Sequence, residues 1–359
     1  MNPAIVHVAS GREWRGGQRQ VWLLARELGR SGLDQVVVTG RNSDLAYRLT
    51  SSGVRVRPAR WHAGLDPRVI GPTLLELRGR PALLHAHDAH ALTLAGICST
   101  LTGTPLIVTR RVDFHLSRRG YWGKAAKVIA ISRAIAEVLA SDGVARERIT
   151  VVHSGIDLEG TRRTTKLGIR DRLGLPSDAR IASNVAALVG HKDHGTLVKA
   201  AKLLEPRFPD LHWVIAGEGK LRGDLERQIQ ERGVGKSVHL LGHIEDPARL
   251  ILDSDLFVMS SQEEGLGSSV LEAMALGIPI ASTTAGGLPE LLGNGAGLLV
   301  PVRDPDALAG AVAQILEDGE LGKRLAGRAS TEVLRFTDRR MAEEVASVYR
   351  SCAHFLGDS

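Results

Sequence analysis

Residues 256–290 read LFVMSSQEEGLGSSVLEAMALGIPIASTTAGGLPE. An apolar run at 256–260 ends in a polar loop carrying Gly265-Leu266-Gly267, and helix-spaced apolar residues begin near Ser268. A second run at 279–283 ends in Gly286-Gly287, just before Pro289-Glu290 at a helix start. This is strand, loop, helix, then strand, loop, helix. Continuous β-branched runs of this length predict strands buried on both faces of a parallel sheet.

The same alternation extends outward in both directions. Short apolar runs recur at 4–9, 35–39, 54–57, 83–87, 105–109, 128–132 and 149–153, and again at 181–186, 211–216, 238–242 and 296–300. Helical spacing separates most of them, for example at 18–30, 133–141, 194–205, 221–232, 268–276 and 305–316. The stretch 157–180 is polar and basic, and predicts a linker with a short helix. Two doubly wound α/β domains follow, each offering ligand loops at the carboxyl ends of its strands.

Composition narrows the class. A chain of 359 residues suits two or three domains. With 43% hydrophobic and 24% charged residues it can build ordinary cores. No run of 18 uncharged apolar residues occurs, so no transmembrane helix is expected. The opening MNPAIVHVASGREW enters a strand-like run without a basic leader, so no secretory signal is expected. Cys98 and Cys352 cannot make a disulfide framework or a Cys-rich zinc site. A cytoplasmic protein is the expectation. Net charge is +6, with 22 basic and 13 acidic residues in 1–160 against 24 and 27 in 161–359. The first half therefore suits an anionic partner: a membrane surface, a phosphorylated acceptor or nucleic acid. An Arg-rich composition accounts for the same excess.

The loop at 260–267 presents backbone N–H groups at a helix start, which suits a phosphate. Glu264 lies in that loop and can reach a ligand. Glu272 lies about one turn into the helix and can accept hydrogen bonds from a diol such as a ribose.

The segment also resembles the hallmark of the family-four retaining glycosyltransferases, Glu-Gly-x-Gly-x-x-x-x-Glu-Ala-Met-Ala-x-Gly-x-Pro followed by Gly-Gly-x-Pro-Glu. Val128-Ile-Ala-Ile-Ser132, Val152-His-Ser-Gly-Ile-Asp157, Ile215-Ala-Gly-Glu-Gly219 and Leu241-Gly-His-Ile244 resemble further family motifs, so the likeness covers nearly the whole chain. Arg335-Phe-Thr to Tyr349-Arg resembles the terminal helix that crosses back to the first domain. The resemblance implies a GT-B fold: two Rossmann-like domains facing a central cleft. An acceptor domain would span 1–157 plus about 338–359, and a nucleotide-sugar domain 158–337.

By that resemblance Glu272 binds the donor ribose and Glu264 contacts the donor sugar. Gly265 and the amides of Leu266, Gly267, Ser268 and Ser269 hold the sugar or diphosphate, and His243 and Ile244 flank the base. Lys192, before the next helix start, meets the phosphates, reversing the cost of a cation at a helix N-terminus. The family often carries an arginine five residues earlier, where this chain has Ala187. Lys192 then works alone, or another cation substitutes. Gly16 and Gly17 match the family's glycine-rich loop near donor phosphate and acceptor, with Arg15 or Arg19 meeting an acceptor phosphate.

His85-Ala-His87-Asp-Ala-His90 has metal-like spacing, but the family often has His here without metal. His87 is expected near the acceptor, and no metal or other cofactor is expected. Asp253-Ser-Asp255 reads as structural. Arg110 stands where relatives carry a histidine, and with Arg111 it could neutralise a leaving diphosphate or bind a phosphorylated acceptor. Asp113 could orient an arginine or accept a proton. An Arg–Asp surface network is the alternative. Residues 114–127, FHLSRRGYWGKAAK, mix three aromatics with cations and no acid, which suits contact with an anionic membrane on its inner face. A mobile loop is the alternative.

The expected activity is metal-independent transfer, with retention, of a hexosyl or related sugar. The donor is a nucleoside-diphosphate sugar and the acceptor a glycan or glycolipid hydroxyl, in lipopolysaccharide core or envelope polysaccharide synthesis. No nucleic-acid partner is expected. Alternatives are an epimerase or hydrolase of the same fold, or a non-catalytic nucleotide-sugar-binding protein.

Overall fold

A computed structural model describes residues 3–11, 13–61, 64–112, 114–116 and 120–352. The chain forms two compact units, Met1–Gly155 with Phe336–Ser359, and Ile156–Arg335.

The first unit holds a parallel sheet of seven strands: β1 (Ala4–Ala9), β2 (Gln35–Gly40), β3 (Val56–Ala59), β4 (Ala82–Ala86), β5 (Leu106–Arg110), β6 (Lys127–Ala130) and β7 (Ile149–Val151). Their order is β3-β2-β1-β4-β5-β6-β7, so strand order reverses between β1 and β4. The central strands β1, β2, β4 and β5 are buried at every residue, whereas the edge strands are not. Sequence alternation placed the third strand at 54–57. The observed strand runs to Ala59 and includes Pro58, which an edge strand tolerates because one side of it makes no ladder.

The second unit holds six parallel strands: β8 (Arg180–Val185), β9 (Leu211–Ala216), β10 (Val238–Gly242), β11 (Leu256–Met259), β12 (Ile280–Thr283) and β13 (Leu298–Val300). Their order is β10-β9-β8-β11-β12-β13, reversing between β8 and β11. Burial on both faces is visible residue by residue. Trp213 and Ile215 pack with Leu197, Val198 and Val312, while Val214 and Ala216 between them pack with Ile169, Ile181 and Leu250. The basic stretch after Gly155 forms two short helices, Leu158–Arg162 and Ile169–Leu173. Asp253 accepts from the Ile169 amide at 3.0 Å. Asp255 accepts from the Ile181 amide and from Arg170, both at 2.7 Å. The Asp-x-Asp pair is therefore spent on backbone and arginine.

The last helix, Asp338–Cys352, belongs to the first unit. Met341, Val345 and Tyr349 pack with Ile5, Leu23, Leu83 and Ile107. Arg26 binds Asp338 at 2.6 Å, and Gln20 bonds both the N–H (3.0 Å) and the carbonyl (2.7 Å) of Gly155. A Cβ on Gly155 would lie 2.5 Å from Asp338 Cα and 2.8 Å from its amide nitrogen. Gly155→Ala is thus expected to push this helix off its seat and cost roughly 1–3 kcal/mol. Urea unfolding would show it as a lower midpoint, and an unchanged midpoint would contradict the packing.

Candidate active site

In the second unit the loops after β8 and β11 flank the point where strand order reverses, the usual ligand position of such sheets. After β8 the chain makes a tight turn, Gly190–Lys192, and Asp193 at φ 47° caps the helix His194–Leu204, accepting from the Thr196 amide at 3.3 Å and from Thr196 Oγ1 at 2.7 Å. The loop after β11 laces onto this turn. Ser260 Oγ donates to the Lys192 carbonyl at 3.0 Å, and the Gln262 amide donates to the His191 carbonyl at 2.8 Å. Lys192 Nζ forms an ion pair with Glu264 Oε2, their side chains only 15% and 14% exposed. Ser261 Oγ donates to the same carboxylate oxygen at 3.4 Å.

The glycines after β12 have a specific task. Gly286 sits at φ 48°, and a Cβ there would fall 1.8 Å from the Glu264 carbonyl oxygen. The Gly287 amide donates to that carbonyl at 3.0 Å. The second glycine loop is therefore the seat of the loop that carries Glu264.

Gly267, at φ 105°, is the N-cap of the helix Ser268–Ala275, which has no side-chain cap and no acid in its first turn. Its first N–H groups are left for another acceptor. Ser269 Oγ donates to the Val185 carbonyl at 3.0 Å, which ties this helix start to β8. Gly265 and Leu266 are buried, Ser268 is exposed, and Glu272 is 2% exposed. Lys192, Glu264 and the helix start at Ser268 thus share one corner of this unit, with Glu272 buried one turn further on. Ala187 is exposed, and Leu188 beside it is paired with the loop after β9: its amide donates to the Glu218 carbonyl at 3.0 Å. His243 is exposed after β10, and Ile244 packs with the cluster around Leu250.

One element of this floor was not singled out from the sequence. His194 is 5% exposed, and its Nε2 bonds Asn184 Oδ1 at 3.2 Å. Asn184 Nδ2 donates to the Val258 carbonyl at 2.8 Å, so its oxygen is the atom facing His194, and Nε2 carries the proton. Burial pushes the His194 pKa down to about 4, with Lys192 adding to the effect. A lone His gives no periodic signal, so its link to Asn184, which itself bridges β8 to β11, shows only in three dimensions.

In the first unit, β1 and β4 meet at the other reversal point, with His7 in register with His85. Asp88 spans it, accepting from the Ser10 amide at 2.7 Å and from Ser10 Oγ at 2.6 Å. His7, His85 and His87 are 0%, 0% and 4% exposed, and their candidate ligand nitrogens lie within 4.8 Å of one another. Their hydrogen bonds order them. Gln35 Nε2 donates to the Ala25 carbonyl, so Gln35 Oε1 faces His7 Nε2, at 3.2 Å. His7 therefore carries its proton on Nε2, and Nδ1 accepts from His87 Nε2 at 3.0 Å. Among the described residues, His87 Nδ1 is left as a buried acceptor without a donor. His85 bonds the Tyr349 hydroxyl at 2.6 Å and Thr109 Oγ1 at 2.7 Å, so both its nitrogens are engaged. Burial lowers the His7 pKa to about 4 and those of His85 and His87 well below the usual value.

Gly16 and Gly17 open the helix Gly16–Arg30. Arg15, its N-cap, is exposed and pairs with Glu13, and Arg19 is partly buried within the first turn. The Arg110 guanidinium donates to the Phe114 carbonyl and lies 5.3 Å from the Trp122 ring centre. The adjacent Arg111 is partly buried. Asp113 lies outside the described residues, as do Ser117, Arg118 and Arg119. The 114–127 stretch is less of an open aromatic surface than its composition implies. Trp122 is 6% exposed and Tyr121 lies against Gly96, where a Cβ would come within 2.3 Å of the ring, so Phe114 is the exposed ring of the three. Among the described residues no helix is long and apolar enough to cross a membrane.

Two doubly wound parallel-sheet units of this strand order define a fold of the GT-B kind. A family model for glycosyltransferase family 4 matches residues 14–159, and one for glycosyl transferases group 1 matches residues 166–332. The chain belongs to the family 4 glycosyltransferases. It is similar to the putative glycosyltransferase EpsD of Bacillus subtilis (33% identical over 182 residues, 50% of this chain and 48% of the relative). It is also similar to the lipopolysaccharide core biosynthesis glycosyltransferase LpsE of Rhizobium meliloti (31% over 219 residues, 61% of this chain and 62% of the relative). These matches span about half to three-fifths of the curated relatives' length. In fold it matches Anabaena Alr3699/HepE in complex with UDP-glucose, at TM-score 0.86 and 20% identity, over 97% of this chain and 99% of that one.

Two outcomes follow from the geometry. Gly286→Ala should displace the loop above it, read as faster amide hydrogen exchange at 261–267 with β1–β7 unchanged; unaltered exchange would refute the crossing. His7 binds a proton more readily when unfolded, so its contribution to stability is complete above about pH 6.5 and is lost as pH falls toward about 4. Between pH 7.5 and 5 the loss should be on the order of 2 kcal/mol, and His7→Gln should flatten the profile in urea unfolding.

Proposed function

We propose that this chain is a retaining glycosyltransferase. It moves a hexosyl or related sugar from a nucleoside-diphosphate sugar to a hydroxyl of a glycan or glycolipid, in building lipopolysaccharide core or another envelope polysaccharide. The observation that carries this reading is the Lys192–Glu264 pair beside the uncapped helix start at Ser268. The UDP-glucose complex of the Anabaena protein supports a nucleoside-diphosphate sugar as donor, and LpsE supports the envelope role.

In the resting protein Lys192 already has a counterion. A donor diphosphate offers it a stronger one, and the helix amides at Ser268 and Ser269 bind the same anion. Glu264 is then released to face the sugar, where it positions a hydroxyl and offsets positive charge as the anomeric bond lengthens. Glu272 takes the ribose diol. The anomeric carbon loses its bond to the β-phosphate oxygen and gains one to the acceptor oxygen on the same face. The departing phosphate oxygen takes the acceptor proton, so charge and atoms balance without a protein nucleophile. Lys192 and the amides supply the charge stabilisation, and no metal is required. The first unit, with its excess of cations, takes the acceptor.

Lys192→Ala should lower kcat by about 10²–10³-fold with a smaller change in donor affinity. Glu272→Ala should weaken donor affinity by about 10–100-fold, the worth of charged hydrogen bonds to a diol. Steady-state transfer assays with UDP-, GDP- and ADP-sugars, paired with titrations of the free nucleotides, measure both. Unchanged kinetics in both variants would overturn the site, and sugar turnover without any acceptor would make the protein a hydrolase or epimerase.

A further inference from the structure

Three imidazoles converge in the interior of the first unit, supplied by two neighbouring strands. His7 lies in β1, His85 is in register with it in β4, and His87 directly follows β4. All three are buried, and one ring nitrogen of each lies within 4.8 Å of the other two. Among the described residues no carboxylate bonds any of them. Their partners are Gln35, Thr109, Tyr349 and one another.

An imidazole binds a cation through a lone pair, so the tautomers decide what the cluster offers. Gln35 holds the His7 proton on Nε2, which leaves the Nδ1 lone pair aimed at His87 Nε2, 3.0 Å away. Two imidazole nitrogens on one tetrahedral Zn2+ stand about 3.3 Å apart, for bonds of about 2.0–2.1 Å. An ion between His7 and His87 therefore needs little movement of either ring. His87 offers Nε2 once its proton passes to Nδ1, which has no donor to contest the place among the described residues. His85 has a hydroxyl at each nitrogen. It gives up one of these bonds to supply the third ligand and keeps its N–H on the other side. The Gln35 side-chain carbonyl on His7 Nε2 is the outer contact that metal-bound histidines ordinarily carry.

We propose that His7, His85 and His87 form a zinc site that ties β1 to β4 in the first unit. Three nitrogen ligands without a carboxylate suit Zn2+, or Co2+ in its place, and not the oxygen-seeking Mg2+ or Ca2+. Arg111 acts on His85 and His87 with like charge, so the ion that holds there is one with strong imidazole bonds. Its role is structural. The proposed transfer uses Lys192, Glu264 and Glu272 of the other unit and needs no metal, so the assignment stands apart from it.

Cobalt titrated into the metal-free full chain tests it. A single Co2+ should bind with the visible absorption of a tetrahedral nitrogen site, and Zn2+ should displace it. His7→Gln and His87→Gln should each weaken the ion by about tenfold or more. His212 and His239, which bond each other at 3.1 Å in the second unit, are the competing imidazole pair. Replacing both of these with Gln should leave the affinity as in wild type. X-ray absorption of the zinc-loaded wild type does not depend on any variant folding, and should count three imidazoles at about 2.0–2.1 Å. No binding, a count of two imidazoles, an affinity unchanged in both first-unit variants, or an ion lost with the second-unit pair would overturn the site.

Discussion

The ion pair between Lys192 and Glu264 is the constraint around which the second unit's site is arranged. Neither group has much solvent, and holding both out of water is not a cheap source of stability. The surrounding loops are shaped to hold them there. Ser260 and Gln262 tie the Lys192 turn to the loop of Glu264, and Gly286 and Gly287 let that loop pass over the end of β12. His194 and Asn184 fix the floor beneath. In the proposed transfer this cation trades its acid for the donor's phosphates, next to the helix amides at Ser268.

The first unit uses the same kind of sheet with a different charge balance. Its reversal point is bridged by Ser10 and Asp88, and its interior by imidazoles ordered through Gln35, Thr109 and Tyr349. The terminal helix supplies Tyr349, so the chain's last segment helps set the chemistry beneath β1 and β4. Among the described residues, Lys192 pairs with an acid, whereas Arg111 Nε is buried without a hydrogen-bond partner.

Much of this was legible in the sequence because the central strands are short apolar runs separated by helix-length amphipathic stretches. All thirteen strand runs appear where alternation placed them, with ends displaced by a residue or two. That Lys192, Glu264 and Ser268 meet was legible through the resemblance to the family's motifs. What spacing could not reveal is direction. Arg110 and Arg111 are neighbours in the chain, yet one stacks near Trp122 and the other faces the helix at Gly16. Tyr121 and Trp122 read as an aromatic surface, and packing against Gly96 and Arg110 removes them from it. Gly286-Gly287 read as another glycine loop, and its reason is a backbone crossing visible only when two distant loops are folded together.

The most direct measurement is a crystal structure of the full chain with an intact nucleoside-diphosphate sugar. The account predicts Lys192 Nζ on a phosphate oxygen, Glu264 turned to the sugar, and Glu272 on the ribose. A donor bound elsewhere, with the Lys192–Glu264 pair undisturbed, would contradict it.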